Sequence, residues 1–299
     1  MPRGLISEKF MRTDGIFKTK QVFFPEWKAG KTLNFVPFGD VHRDSPGFAD
    51  DAWSKFLARA KKLARQGDVL FLGMGDYLDS YSTSERMVMY GNGLHESSVK
   101  SHEKASIRKI ELIAHELDFM RGKLIGFMGG NHYPMLKGGI TGDQKMAEIM
   151  DTDYLGACCA IRVTFRVHGG SRISLDIFAH HGKGGGVTAA GKFNAVEKLQ
   201  QVCDADIFLM GDNHARGCFP AGEKLRLCDT GGKLYVKAKP TWIGRTGSFL
   251  RAYVEGEPSY VVDAAMPPAN LGHIEFHITP TRSEVGGGDV MGIEIGATQ

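Results

Sequence analysis

Five times in this chain a short apolar run stops at a glycine or at its own last residue and delivers side chains able to hold a metal or move a proton. LNFVPFGDVH ends in Asp40 and His42, LFLGMGDYLD in Asp76 and Asp79, and LIGFMGGNH in Asn131 and His132. ISLDIFAHH ends in His180 and His181, and IFLMGDNH in Asp212 and His214. An unbroken apolar run of this length is the mark of a strand buried on both faces, as parallel strands are. Open α/β sheets present their ligands at the carboxyl ends of such strands. The repetition therefore confines the chain to a fold that gathers several strand ends along one edge.

The order Gly-Asp-x-His, Gly-Asp, Gly-Asn-His, His, Gly-x-x-His, running from Asp40 to His214, resembles the calcineurin-like metallophosphoesterase superfamily. That resemblance implies an α/β fold, a two-sheet β-sandwich flanked by helices, and a pair of divalent metal ions that hydrolyse phosphate esters. Carried over motif by motif, Asp40, His42 and His214 would hold the first ion, Asn131, His180 and Asp212 the second, and Asp76 would bridge them. Two ions share a water that loses its proton and clamp the attacking and leaving oxygens. His132 corresponds to the family's general acid, and Asp79 to the residue that orients it. His180 directly follows the apolar run and is preferred as ligand to His181, which would face substrate or pack. Lys183 and the glycines of HHGKGGG either cradle a phosphate with backbone N–H groups or form a flexible connector.

Two departures bear on function. The usual Gly-His-x-His is Gly-Asp-Asn-His here, so Asp212 stands where an imidazole is expected. Oxygen-rich coordination favours Mn²⁺ or Mg²⁺ over Zn²⁺ or Fe. Ser80 and Tyr81 occupy the place of the Arg-Gly found in phosphoprotein phosphatases, and Tyr133 that of their Glu. The leading reading is a metal-dependent phosphodiesterase or nuclease. The alternatives are a phosphomonoesterase acting on nucleotides or phosphoproteins, and a catalytically silent binding protein, which Asp212 permits.

The 299 residues are 42% hydrophobic, enough for a sizeable core, and the net charge of +3 gives no overall basic field. A diester substrate such as nucleic acid would need local contacts, from the 80–104 stretch, Lys183, Lys192, Arg216, Arg245 or Arg251. The five cysteines are odd in number and form no Cys-x-x-Cys pair, which reads as reduced thiols. With no apolar leader at the N-terminus and no membrane-length run, the expectation is a soluble cytoplasmic enzyme. Its oligomeric state stays open.

The expected layout is an N-terminal arm or edge hairpin over 1–30, a metallophosphoesterase domain over 31–280, and a flexible tail over 281–299, where apolar content is low. Helical spacing from Ala52 to Ala64 predicts a helix capped by Asp50 and Asp51. Further helices are expected over Ile107 to Met120 and Lys192 to Val202. An antiparallel pair is expected over Ile161 to Val167 and Ile173 to Ala179. Pro37 suggests that the end of its strand leaves the ladder. Short strands near 224–228, 233–237, 248–254, 259–262 and 273–278 complete the expectation.

Overall fold

The computed structural model describes residues 15–80, 86, 96–167, 169–182, 186, 188–230, 232–256, 262, 267–285 and 288–299. Three of the apolar runs become the parallel strands β2 (Leu33–Phe38), β3 (Val69–Gly73) and β4 (Leu124–Phe127). The hairpin of β10 (Glu275–Val285) and β11 (Gly288–Thr298) adds to β2, giving a sheet ordered β11-β10-β2-β3-β4. The second sheet is ordered β1-β5-β6-β7-β9-β8. Its members are β1 (Lys18–Trp27), β5 (Cys158–Val167), β6 (Arg172–His180), β7 (Ile207–Met210), β8 (Arg216–Thr230) and β9 (Lys233–Thr246).

Alternation along each strand sorts the side chains into layers. Phe35, Leu70 and Leu72 point between the sheets to meet Val163, Phe165, Leu175, Ile177, Ala179, Ile207 and Leu209. Val36, Phe38 and Phe71 point the other way, onto helices α1 (Asp50–Gln66) and α2 (Glu96–Glu116) through Trp53, Phe56, Ile110 and Ile113. Helix α3 (Gly142–Ile149), held by the Thr141–Gln144 capping box, adds Met146 and Ala147 to this layer. On the far side Phe178 and Phe208 pack with Val196 of helix α4 (Ala189–Glu197). The result is the expected two-sheet sandwich with helices outside. A Phe71→Ala change in this fully buried layer should cost about 3–5 kcal/mol.

Several expectations need correction. Helix α1 is capped by Ala49 with no side-chain bond, and Asp50 and Asp51 lie in its first turn, where they complement the positive helix end. Helix α2 begins at Glu96, well before Ile107. Residues 18–27 form no hairpin: they run parallel to β5 as the edge of the second sheet. Pro37 stays in register with Leu72 of β3, while β10 stops pairing with β2 at Phe35, so the missing N–H is not called upon. The expected tail is instead strand β11, whose Met291, Ile293, Ile295 and Ala297 alternate onto the core. The segments near 224–228 and 233–237 belong to one long antiparallel ribbon, β8–β9. Around 248–254 only Leu250 makes a bridge, and 259–262 falls almost wholly outside the described residues. All five cysteines are free, and no described helix is long and apolar enough to cross a membrane.

Candidate metal centre

The carboxyl ends of β2, β3 and β4 from one sheet and of β6 and β7 from the other meet at one place. The first two loops are laced together through backbone bonds: Asp40 N–H donates to Gly75 O, and the N–H groups of Val41 and His42 both donate to Asp76 O. Glycine is required where the third loop closes on them, because a Cβ on Gly130 would lie 1.9 Å from Asp76 Oδ1. Among the described residues seven non-glycine residues have positive φ, and five of them are Asp40, His42, Asp76, Asp212 and His214. Left-handed backbone costs such residues roughly 1–3 kcal/mol and persists where surrounding structure enforces it, as at functional sites.

Asp40, His42 and His214 bring one ligand atom each within 4.8 Å of one another, and so do Asp40, Asp76 and His181. A third such group is His42, Asp79 and His132. Hydrogen bonds orient these side chains. His42 Nδ1 donates to Asp79 Oδ1 at 3.2 Å and His181 Nδ1 donates to Met74 O at 2.7 Å, so each ring turns its Nε2 inward. Asn131 Nδ2 donates to Asp212 Oδ1 at 2.7 Å, which leaves the amide oxygen free. The backbone N–H of Asp212 spans both oxygens of Asp40, at 3.1 and 3.0 Å, and that of His132 donates to Asp76 Oδ1 at 2.8 Å.

Among the described residues, four polar atoms here are buried with no hydrogen-bond partner: His42 Nε2, Asn131 Oδ1, His181 Nε2 and Asp212 Oδ2. Orphaned buried polar atoms are rare, and a cluster of them is the signature of a place for an ion or water. Every one of the four can offer a lone pair to a cation, so the donor set fits metal.

The electrostatics point the same way. Burial pushes the Asp40 carboxyl up to about 7 against the pull of His181, with Asp76 adding to the push. Asp212 is raised chiefly by burial. Burial opposes ionisation of Asp76 as well, yet His181 and His42 hold it well below the carboxylate range. For His181 burial disfavours the imidazolium, but Asp76, with its Oδ2 3.3 Å from Nε2, carries it up to about 10. Burial, helped by His42, presses His214 down to about 3. The His181 imidazolium thus answers the Asp76 carboxylate, while burial favours the neutral form of Asp40.

The preference for His180 over His181 is not what the structure brings together. His180 shares the outer, helix-facing side of β6 with Phe178, and its Nδ1 accepts from Gly182 N–H at 2.8 Å. His181 continues the inward series of Leu175, Ile177 and Ala179 and is 3% exposed. Asp79 Oδ1 lies 3.0 Å from His132 Nδ1, and the same oxygen also holds His42. Lys183 lies outside the described residues. Of the basic contacts considered, Arg245 is fully buried and Arg251 pairs with Asp51.

Three residues at the site carry no motif. Arg86 donates to the carbonyls of Asn131 and Tyr133 at 2.9 and 3.3 Å and stacks on the Tyr133 ring. Asp143 accepts from Gly130 N–H at 2.9 Å, and burial pushes its carboxyl up to about 7. Arg245 donates to Gly211 O, directly before Asp212.

No family model matches the chain, and no curated protein does. Among solved structures it is similar to Vacuolar Protein Sorting 29 from Cryptosporidium parvum, at 13% identity over 89% of this chain and 99% of that one, with a TM-score of 0.33. A likeness so distant adds nothing to what the strand order and the site geometry state directly.

Proposed function

We propose that this centre holds two divalent cations and that the chain is a calcineurin-like metallophosphoesterase, hydrolysing phosphodiesters in preference to monoesters. The observation that carries the reading is the set of four buried polar atoms that find no hydrogen-bond partner among the described residues, gathered from four different strand ends. One ion would be held by Asp40, His42 and His214, the other by Asn131, His181 and Asp212, with Asp76 between them. When bound, such ions supply positive charge to phosphoryl oxygens and make water acidic enough to attack at neutral pH.

The chain's own residues do the rest. Asp79 accepts the Nδ1 proton of His132 and so orients the ring, whose Nε2 would give a proton to the departing oxygen. By gripping His42 as well, Asp79 couples the acid to a ligand of the first ion. The preference for diesters rests on charge. Asp212 adds a carboxylate to the centre, and the described arginines near it, Arg86 and Arg245, are buried and turned to backbone carbonyls. A singly charged diester needs less compensation than a doubly charged monoester.

The test is Mn²⁺ stoichiometry by calorimetry, with turnover of bis-p-nitrophenyl phosphate and p-nitrophenyl phosphate. Two ions per chain and faster diester hydrolysis are expected, with both lost in Asp76→Asn. Fewer than one tightly bound ion, with no hydrolysis of either ester, would leave a silent binding protein as the answer.

A further inference from the structure

Of the residues gathered at the centre, His132 keeps 27% of its side-chain surface open. A ring standing at the surface swings with its backbone unless that backbone is pinned on both sides. The peptide unit before His132 is held at both ends: its N–H donates to Asp76 Oδ1 at 2.8 Å, and its carbonyl, Asn131 O, accepts from Arg86 Nη1 at 2.9 Å. The same nitrogen also donates to Tyr133 O at 3.3 Å, on the far side of the histidine. The guanidinium lies over the Tyr133 ring, 3.8 Å from its centroid. Arg86 enters from the stretch between β3 and α2 and is 8% exposed. One buried planar cation thereby grips the residue before His132 and the residue after it.

The remainder of the loop is fastened by other groups. The Tyr77 hydroxyl donates to Met128 O at 3.1 Å, and Asp143 Oδ2 accepts from Gly130 N–H at 2.9 Å. The Asn131 side chain is fixed separately by its 2.7 Å bond to Asp212 Oδ1. The approach of the loop and the Asn131 amide therefore have holds that do not involve Arg86, whereas the backbone on either side of His132 converges on it. Arginine suits this task, because its flat fork donates along the edge while its face stacks on an aromatic ring, and a lysine ammonium cannot do both. We propose that Arg86 is a positioning residue for His132. By pinning Asn131 O and Tyr133 O it presents the imidazole to the departing oxygen and keeps Nδ1 against Asp79 Oδ1, 3.0 Å away. These bonds of Arg86 turn to the backbone, so it acts on the reaction through His132. The assignment rests on the phosphoesterase reading for the purpose of the ring, but the grip itself does not depend on that reading.

The experiment compares wild type, Arg86→Met, His132→Asn and the double variant with Mn²⁺, on bis-p-nitrophenyl phosphate and on diphenyl phosphate, whose phenolate leaves less readily and needs its proton more. Arg86→Met should keep the wild-type Mn²⁺ stoichiometry and lose turnover of diphenyl phosphate by roughly 10–100-fold, the range typical of groups that orient site residues. The loss on the nitrophenyl ester should be much smaller. Residues that act as a unit are not additive, so the same change made in His132→Asn should cost little more. Arg86→Lys, which keeps a donor and loses the stack, should fall between. Where Arg86→Met does not fold, Tyr133→Leu removes the ring under the guanidinium and leaves both carbonyls, and a weaker loss with the same dependence on leaving group is expected. A readout apart from activity is the Nδ1–H proton resonance of His132 in chelator, assigned by its absence from His132→Asn. It should broaden or vanish in Arg86→Met while that of His42, held by the same Asp79 oxygen, persists. Equal losses on both esters, a penalty undiminished in His132→Asn, or a His132 resonance as sharp as in wild type would overturn the proposal and leave Arg86 as a general brace of the loop. If wild type hydrolyses neither ester, the phosphoesterase reading falls, and the resonance alone still decides whether Arg86 holds His132.

Discussion

Asn131 and Asp212, 81 positions apart in sequence, are joined by a 2.7 Å hydrogen bond from the Asn131 amide to Asp212 Oδ1, and each keeps one buried oxygen without a partner. The bond fixes which end of the amide points where. An aspartate at 131 would set two carboxylates against each other, and one would have to take up a proton. Asn131→Asp should lower the stability of the metal-free protein by roughly 1–3 kcal/mol, and Mn²⁺ should restore part of it. Denaturation with and without the ion measures both.

Asp212→His should move the preference among metals. An imidazole in place of an anionic oxygen suits Zn²⁺, while the wild type should work best with Mn²⁺ or Mg²⁺. Activity against each ion, in both proteins, reads the shift. A ranking that does not move places Asp212 outside the ligand set.

His132→Asn should cut turnover by roughly 10²–10⁴-fold on esters with poor leaving groups and much less on nitrophenyl esters, with metal content intact. Asp79→Asn should differ in kind. Because Asp79 grips His42 as well as His132, it should also weaken metal binding by roughly 10–100-fold. Calorimetry on the two variants distinguishes the roles.

Far from the centre, Glu275 is forked by Arg59 at 2.9 and 2.7 Å and touched by His273 at 3.0 Å. Burial opposes its charge, yet Arg59 and His273 draw the carboxyl down to about 2. A carboxylate depressed on folding stabilises above its unfolded pKa, near 4.3, and loses that contribution as pH falls through the folded value. The stability difference between wild type and Glu275→Gln, on the order of 2 kcal/mol, should hold flat down to about pH 5 and shrink between there and about pH 2. Urea unfolding across that range tests the sign.

The strand ends were legible because parallel strands buried on both faces must be apolar throughout, and whatever follows them reaches the edge. His181 was legible too, in the parity of Leu175, Ile177 and Ala179, but adjacency to the strand end pointed at His180 instead. The same parity in Met291, Ile293, Ile295 and Ala297 marked a strand where low apolar content had suggested a tail. The β8–β9 ribbon was broken into pieces because Leu225, Leu227, Leu234 and Val236 stay exposed, so its alternation is not that of a buried face. Arg86, Asp143 and Arg245 carry no local signal at all. Asp143 and Arg245 reach the centre from elements whose own pattern is satisfied without them, and only the tertiary arrangement shows the backbone groups that the three residues hold.

The proposed ligand set is divided between the two sheets: Asp40, His42, Asp76 and Asn131 follow β2, β3 and β4, while His181, Asp212 and His214 follow β6 and β7. Ions held there would act as a rivet through the sandwich. Neither half of the centre exists until the layers have docked, so loading should lag behind folding and release should require the layers to part at that end. Ligand linkage then adds stability as RT ln(1 + [L]/Kd), about 4 kcal/mol at a thousandfold excess over Kd. Stripping the ions should loosen one end of the seam and leave the other shut. In hydrogen exchange, the amides of 39–42, 75–76 and 211–214 should quicken on chelation, while those at the opposite ends of β2 and β7 keep their protection.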